Sequence, residues 1–136
     1  MLIIYELNEV PRKIFEHFSH ISPESSWALF FNKAKKFETI AADVGHLSPW
    51  TTWPTVHRGV RDSEHEIKDF GQSLGKVNKE YPPLWELLAN NDLNVGLFGS
   101  LHSFPVPKNL NGYKFYVPDT FAAGSECFPK KLSIFQ

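Results

Sequence analysis

Four short apolar runs, each too brief for a helix and each broken by polar or turn-forming residues, constrain what this chain can fold into. The first is Leu2-Ile3-Ile4-Tyr5-Glu6-Leu7, which stops at Asn8-Glu9. The others are Phe37-Glu38-Thr39-Ile40-Ala41-Ala42, Leu93-Asn94-Val95-Gly96-Leu97-Phe98, and Gly112-Tyr113-Lys114-Phe115-Tyr116-Val117, the last closed by Pro118. β-Branched and aromatic residues bounded by such punctuation read as strands. The intervening stretches carry helical spacing instead. Pro11 suits the first turn of a helix whose Ile14, Phe15 and Phe18 share a face. Ser22 and Pro23 read as the N-cap and first position of a second helix, whose stripe of Trp27, Phe30, Phe31 and Ala34 runs to Lys33, Lys35 and Lys36. A helix entry is expected near Thr52–Val56, inside the otherwise irregular stretch from Gly45 to Gly59. Leu84, Trp85, Leu87 and Leu88 give another helix, which Asn90-Asn91 stops. Strands separated by helical segments predict an α/β fold with a largely parallel sheet and helices on its faces.

The bulk properties agree with one ordinary domain. At 136 residues, 42% hydrophobic and 21% charged, the chain is long enough to bury roughly two thirds of its unfolded surface. No linker, repeat or low-complexity segment divides it, so no second domain is expected. A net charge of −1 carries no electrostatic footprint for a nucleic acid polymer or an anionic membrane. No apolar run approaches the roughly 18 residues of a membrane span, and the first residues lack the basic segment of a signal peptide. The single cysteine, Cys127, excludes an internal disulfide framework and a cysteine-based zinc cluster. The expectation is a soluble, cytoplasmic domain.

Two places concentrate polar chemistry. Asn8 and Glu9 follow an apolar strand directly, and open α/β sheets bind ligands at the carboxyl ends of their strands. The same residues also suit the cap of the helix beginning near Pro11. The second place is Ser48-Pro49-Trp50-Thr51-Thr52-Trp53-Pro54-Thr55-Val56-His57-Arg58-Gly59, with one serine, three threonines, a histidine, an arginine and two tryptophans. A hydroxyl at a loop-to-helix junction sits near N–H donors that favour an anion, although it needs activation to act as a nucleophile. Capping a helix is the competing role of this turn. No Gly-Lys-Ser/Thr loop and no Gly-x-Gly-x-x-Gly follows the first strand, so those nucleotide sites are absent.

Taken together, these stretches resemble the alkaline phosphatase superfamily, in its type I phosphodiesterase and nucleotide pyrophosphatase-like branch. That branch has an apolar strand ending in Asp-Gly, a Thr-aromatic-Pro-Asn segment, and a Thr-Gly turn leading to Pro-x-x-His-Gly-Ile. Here Leu7-Asn8-Glu9, Thr52-Trp53-Pro54, and Arg58-Gly59 with Ser63-Glu64-His65-Glu66-Ile67 occupy those places in the same order. Leu84 to Leu88 with Asn94 to Gly99, and Asn111 to Asp119 with Phe128-Pro129, resemble the segments that follow. Asn8 stands for the family's metal-binding aspartate, Thr55 for its phosphate-contacting asparagine, and Arg58 for the threonine before Gly59.

The resemblance implies a three-layer α/β/α sandwich and metal-assisted cleavage of a small phosphate or sulfate ester through a covalent threonine intermediate. It implies Thr52 as nucleophile, with Thr51 and Ser48 as alternatives because Thr52 stands closer to Gly59 than the family spacing. Thr55 and Trp53 would contact substrate, and Asn8 with Glu9 would hold one of two divalent cations, most often zinc in this family. The family's other metal ligands lie in the later part of a much longer domain. Residues 1–136 are therefore expected to be the N-terminal part of a single catalytic domain, with an incomplete sheet and no appreciable turnover alone. A non-catalytic relative that binds a ligand or partner is the alternative. A nucleotide-binding module rests on α/β topology alone.

Overall fold

The computed structural model describes residues 1–40 and 48–136. The chain forms two compact units, Met1–Ile40 and Ala41–Gln136. In the first, residues 1–7 are extended without forming a strand, and Asn8-Glu9 make a turn. Helix α1 (Arg12–Ile21) follows Pro11, its N-cap, and α2 (Ser26–Lys33) follows Ser25. The second cap is Ser25 rather than Ser22, because the Ser25 hydroxyl accepts from Ala28 N–H at 3.2 Å. Ser22 instead accepts from Ser25 through its carbonyl, which closes the turn before the helix. Phe15 stacks on Trp27 at 4.7 Å and on Phe31 at 5.9 Å, and Lys36 lies 4.1 Å over the Phe31 ring. Arg12 pairs with Glu16 and Glu38.

The expected first strand is absent for a physical reason. A strand exists only where a neighbour takes up its N–H and C=O groups, and among the described residues no strand pairs with residues 2–7. Leu2, Ile3, Ile4 and Tyr5 are all exposed. Residues 37–40 likewise belong to no strand among the described residues. Ala41 and Ala42, the end of that expected strand, and residues 45–47 of the stretch preceding Ser48 lie outside the described residues.

The second unit begins with α3 (Pro49–Arg58), longer at both ends than the expected Thr52–Val56 entry. Gly59 ends it in the left-handed region at φ 69°, donating to Thr55 C=O. Short helices α4 (Asp62–His65) and α5 (Gly75–Glu80) follow, then α6 (Leu84–Asn90). Strands β1 (Val95–Phe98) and β2 (Tyr113–Val117) pair in parallel, and a 3₁₀ helix spans Lys130–Phe135. The fold is thus mixed α/β, with a two-stranded parallel sheet among the described residues. No described helix is long and apolar enough to cross a membrane.

The register places Val95 beside Tyr113 and Leu97 beside Tyr116, with a bulge between Val95 and Gly96. These four side chains form one face, and Trp85 and Ala89 of α6 pack against it. Gly96 turns to the other face, where the Phe115 ring occupies the space a Cβ would need. A second, smaller core gathers Ile67, Leu74 and Val77, with Tyr81 at its margin. A parallel pair needs a long crossover, and residues 99–112 supply it without a helix.

Gly112 ends that crossover at φ 83°, and a Cβ there would lie 2.8 Å from Ala89 O and 2.9 Å from Ala89 Cα. Backbone conformation and close approach to α6 both require glycine. Gly112→Ala is expected to cost about 2–3 kcal/mol in chemical denaturation. An unchanged midpoint and slope would show that the β1–β2–α6 packing is not as described.

Candidate functional site

The sequence-derived candidates fall in both units. Asn8 and Glu9 lie in the first, in an exposed turn where Glu9 adopts φ 56°. Ser48, Thr51, Thr52, Trp53 and Thr55 all lie on or beside α3 in the second unit. Ser48 is the N-cap of α3, its hydroxyl accepting from Trp50 N–H at 3.3 Å. Its carbonyl accepts from Thr51 N–H at 3.0 Å and Thr52 N–H at 2.8 Å. Pro49 has no N–H to offer. The first-turn amides are therefore engaged within the turn, so an anion here would meet the helix dipole and side-chain hydroxyls rather than a row of open N–H donors.

Thr55 and His65 have the spacing of a hydroxyl and its base, with Oγ1 to Nε2 at 3.0 Å. The directions of the hydrogen bonds say otherwise. Ile67 N–H donates to His65 Nδ1 at 3.0 Å, so Nδ1 is the unprotonated nitrogen and Nε2 carries the proton. Nε2 then donates to Thr55 Oγ1, and the Thr55 hydroxyl donates to Thr51 C=O at 3.2 Å. His65 is thus a donor to Thr55 and cannot accept its proton. Ser48 and Thr55 are both used by the fold. The half-buried hydroxyls of Thr51 and Thr52 make no hydrogen bond to another described residue.

The side chains at the other end of α3 also serve the fold. His57 stacks on Trp53 at 5.6 Å and meets the Trp85 edge at 4.9 Å, as a core aromatic would. Buried Arg58 donates to Tyr81 C=O and, at 2.8 Å, to Asn78 Oδ1. Burial lowers its pKa to about 10, with Glu86 opposing the shift, so it stays cationic at neutral pH. Glu86 is raised by its own burial, and Arg58 opposes that in turn.

Trp50 shows where the amino end of α3 stands. Its ring meets Phe121 at 5.0 Å, Phe70 at 5.2 Å and the edge of His102 at 6.0 Å. His102 lies four residues past β1 and Phe121 four past β2, so Trp50 packs against the segments that leave both parallel strands at their carboxyl ends. Two buried residues build that edge. Ser103 N–H donates to Asp119 Oδ2 at 3.2 Å, and Asp119 N–H donates to Ser103 Oγ at 2.9 Å. Tyr116 OH adds a bond to Ser103 C=O at 2.6 Å, which leaves its phenol pKa raised by burial. His102 is held at φ 61°, with both ring nitrogens buried and unpartnered among the described residues. Burial lowers its pKa to about 4, against the pull of Asp119 and with help from Arg58, His57 and His65.

Sequence reasoning passed over His102, Ser103 and Asp119. The rule that drew attention to residues 8 and 9, applied to the ends of β1 and β2, finds all three.

No family model, no curated protein and no solved structure matches the chain.

The donors present do not fit the pair of cations that the superfamily resemblance implies. Among the described residues, no group of three or more His, Cys, Asp or Glu side chains could hold a metal ion. Asn8 and Glu9 contribute one neutral amide and one carboxylate. A two-cation centre draws its ligands from several elements and needs carboxylates to offset the charge.

Two outcomes follow. Calorimetric titration with zinc is expected to show no saturable uptake of two ions per chain, and such uptake would prove that a full donor set assembles. For His102, the folded pKa lies below the ordinary 6.5, so the unfolded chain takes up the proton first as pH falls. Its contribution to stability is therefore constant above pH 6.5 and declines between pH 6.5 and about 4. Asn tolerates the left-handed region and does not titrate. The stability difference between wild type and His102→Asn should shrink across that window, and a pH-independent difference would contradict the assigned burial.

Proposed function

We propose that this chain is the N-terminal part of a metal-dependent hydrolase of phosphate or sulfate esters, of the alkaline phosphatase type. Its complete sheet would form the middle layer of an α/β/α sandwich. The observation that carries this reading is the seat of Trp50. It packs the amino end of α3 against the segments that leave two parallel strands at their carboxyl ends, the side on which α/β folds bind ligands. The motif order from Leu7 to Asp119 supplies the reaction class.

In this reading Thr52 is the nucleophile, with Thr51 as its alternative, because the Ser48 and Thr55 hydroxyls are engaged elsewhere. A phosphoryl or sulfuryl group lies over the first turn, where the helix dipole favours its charge. Attack forms a bond from the threonine oxygen to phosphorus or sulfur and breaks the bond to the leaving oxygen. Water later releases the threonine. Since the donors present do not make up the cation pair, its ligands would come from elsewhere in the complete protein. Trp53 packs on His57, which makes it a wall of the site in this reading, and Thr55 supports the turn. The substrate is a small ester.

A ligand-binding relative without catalysis is the second reading, favoured by Asn8 in the aspartate's place. A reading frame that supplies Asp-x-x-x-His and Asp-His pairs favours the hydrolase, and one that supplies neither favours the binding module.

Titration of the chain with inorganic phosphate tests the site itself. Amide signals of Thr51 and Thr52 are expected to move saturably, and Thr52→Val to weaken the response at least about threefold, the loss of one hydrogen bond. Saturable movement elsewhere with no response in the first turn of α3 would remove this site.

A further inference from the structure

We infer that His65 is a positioning residue for the first turn of α3, acting through Thr55; this rests on the reading that the turn presents the attacking hydroxyl. The need for a brace comes from Pro54. It lies inside α3, at the sixth helical position, and has no N–H to give to Trp50 C=O four residues earlier. Its ring also crowds that carbonyl, and proline in a helix interior costs about 3 kcal/mol or more. The turn that carries Thr51 and Thr52 is therefore joined to the rest of the helix by one backbone hydrogen bond fewer than an ordinary helix would have.

The Thr55 hydroxyl adds a connection one residue on, donating to Thr51 C=O rather than to the Trp50 carbonyl that Pro54 leaves. It has a single proton, and His65 Nε2–H approaches from its acceptor side. His65 itself is oriented by Ile67 N–H at Nδ1. Ile67 is wholly buried and packs with Leu74 and Val77, so the relay starts from a fixed point. Three hydrogen bonds run one way, from the Ile67 amide through imidazole and hydroxyl to the Thr51 carbonyl, and each polarises the next. A base would reverse that direction. The His65 ring is 2% exposed, which suits a rigid donor.

The test uses the full chain labelled with nitrogen-15. In wild type the His65 ring should show a protonated Nε2 and a bare Nδ1. His65→Ala should speed amide exchange at Thr52 and Thr55 by up to about tenfold, the worth of one net hydrogen bond. His65→Gln, whose amide nitrogen reaches the Nε2 position, should restore most of the protection. Thr55→Val should match His65→Ala, whereas Thr55→Ser should not. Restoring the backbone donor with Pro54→Ala should reduce the effect of His65→Ala to about twofold or less. An Nδ1-protonated ring in wild type overturns the proposal, as does equal exchange in the Ala and Gln variants. None of these readouts requires a substrate. If phosphate moves the turn but the relay is absent, His65 loses its role and the ester site stands. If the relay is intact and phosphate moves nothing, the ester site falls and His65 remains only a brace of α3.

Discussion

The reciprocal bonds between Ser103 and Asp119 hold the edge of the sheet on which the second unit's candidate site depends. Each residue donates its backbone N–H to the other's side chain, so the early part of the crossover is tied to the residue two past β2. Asp119 also accepts from Phe121 N–H at 2.9 Å. A buried carboxylate is tolerable only when such donors replace its water. Tyr116 ties the same knot to the core, because its ring packs with Leu97 and Trp85 while its hydroxyl reaches Ser103. From this knot follow the left-handed backbone of His102, the place of Phe121, and the surface on which Trp50 rests.

Polar side chains on α3 divide sharply between support and chemistry. Arg58 on α3 and His65 on the following α4 are buried, and each bonds a backbone group, the Tyr81 carbonyl and the Ile67 amide. His57 is spent on aromatic packing. What remains toward the carboxyl ends of the strands is a pair of adjacent hydroxyls on a turn whose amides are already engaged. Such a turn is stable before any ligand arrives, which is the preorganisation that nucleophilic chemistry needs. In the proposed reading, charge on an ester at this turn has to be met by groups other than open backbone donors.

The legible parts of the fold were those with strong local signals and a partner close in sequence. The runs at 93–98 and 112–117 became β1 and β2, a few residues shorter, and the Leu84 to Leu88 pattern became α6. Local patterns misled where the partner was missing. Residues 2–7 have the composition of a buried strand, yet composition supplies no neighbour to bond. Helices α4 and α5 were too short to show a periodic stripe. The Ser22-Pro23 pair had the right chemistry for a cap, but Ser25 stands at the correct reach from Ala28. The candidate site was legible as a cluster of hydroxyls near Thr52, while its roles were not. Thr55 and His65 are ten residues apart, and only hydrogen-bond direction separates a base from a brace.

The sequence by itself determined the class of secondary structure, the hydroxyl-rich turn between tryptophans, and the motif order behind the proposed ester chemistry. These are properties of neighbouring residues, set by side-chain shape and backbone preference. Tertiary structure alone decided which hydroxyls the fold engages, which tautomer His65 holds, and that Trp50 packs against the segments leaving β1 and β2. The reason is that hydrogen-bond direction and burial are relations between segments far apart in the chain. No local pattern encodes that His65 would meet Thr55, or that Asp119 would close on Ser103.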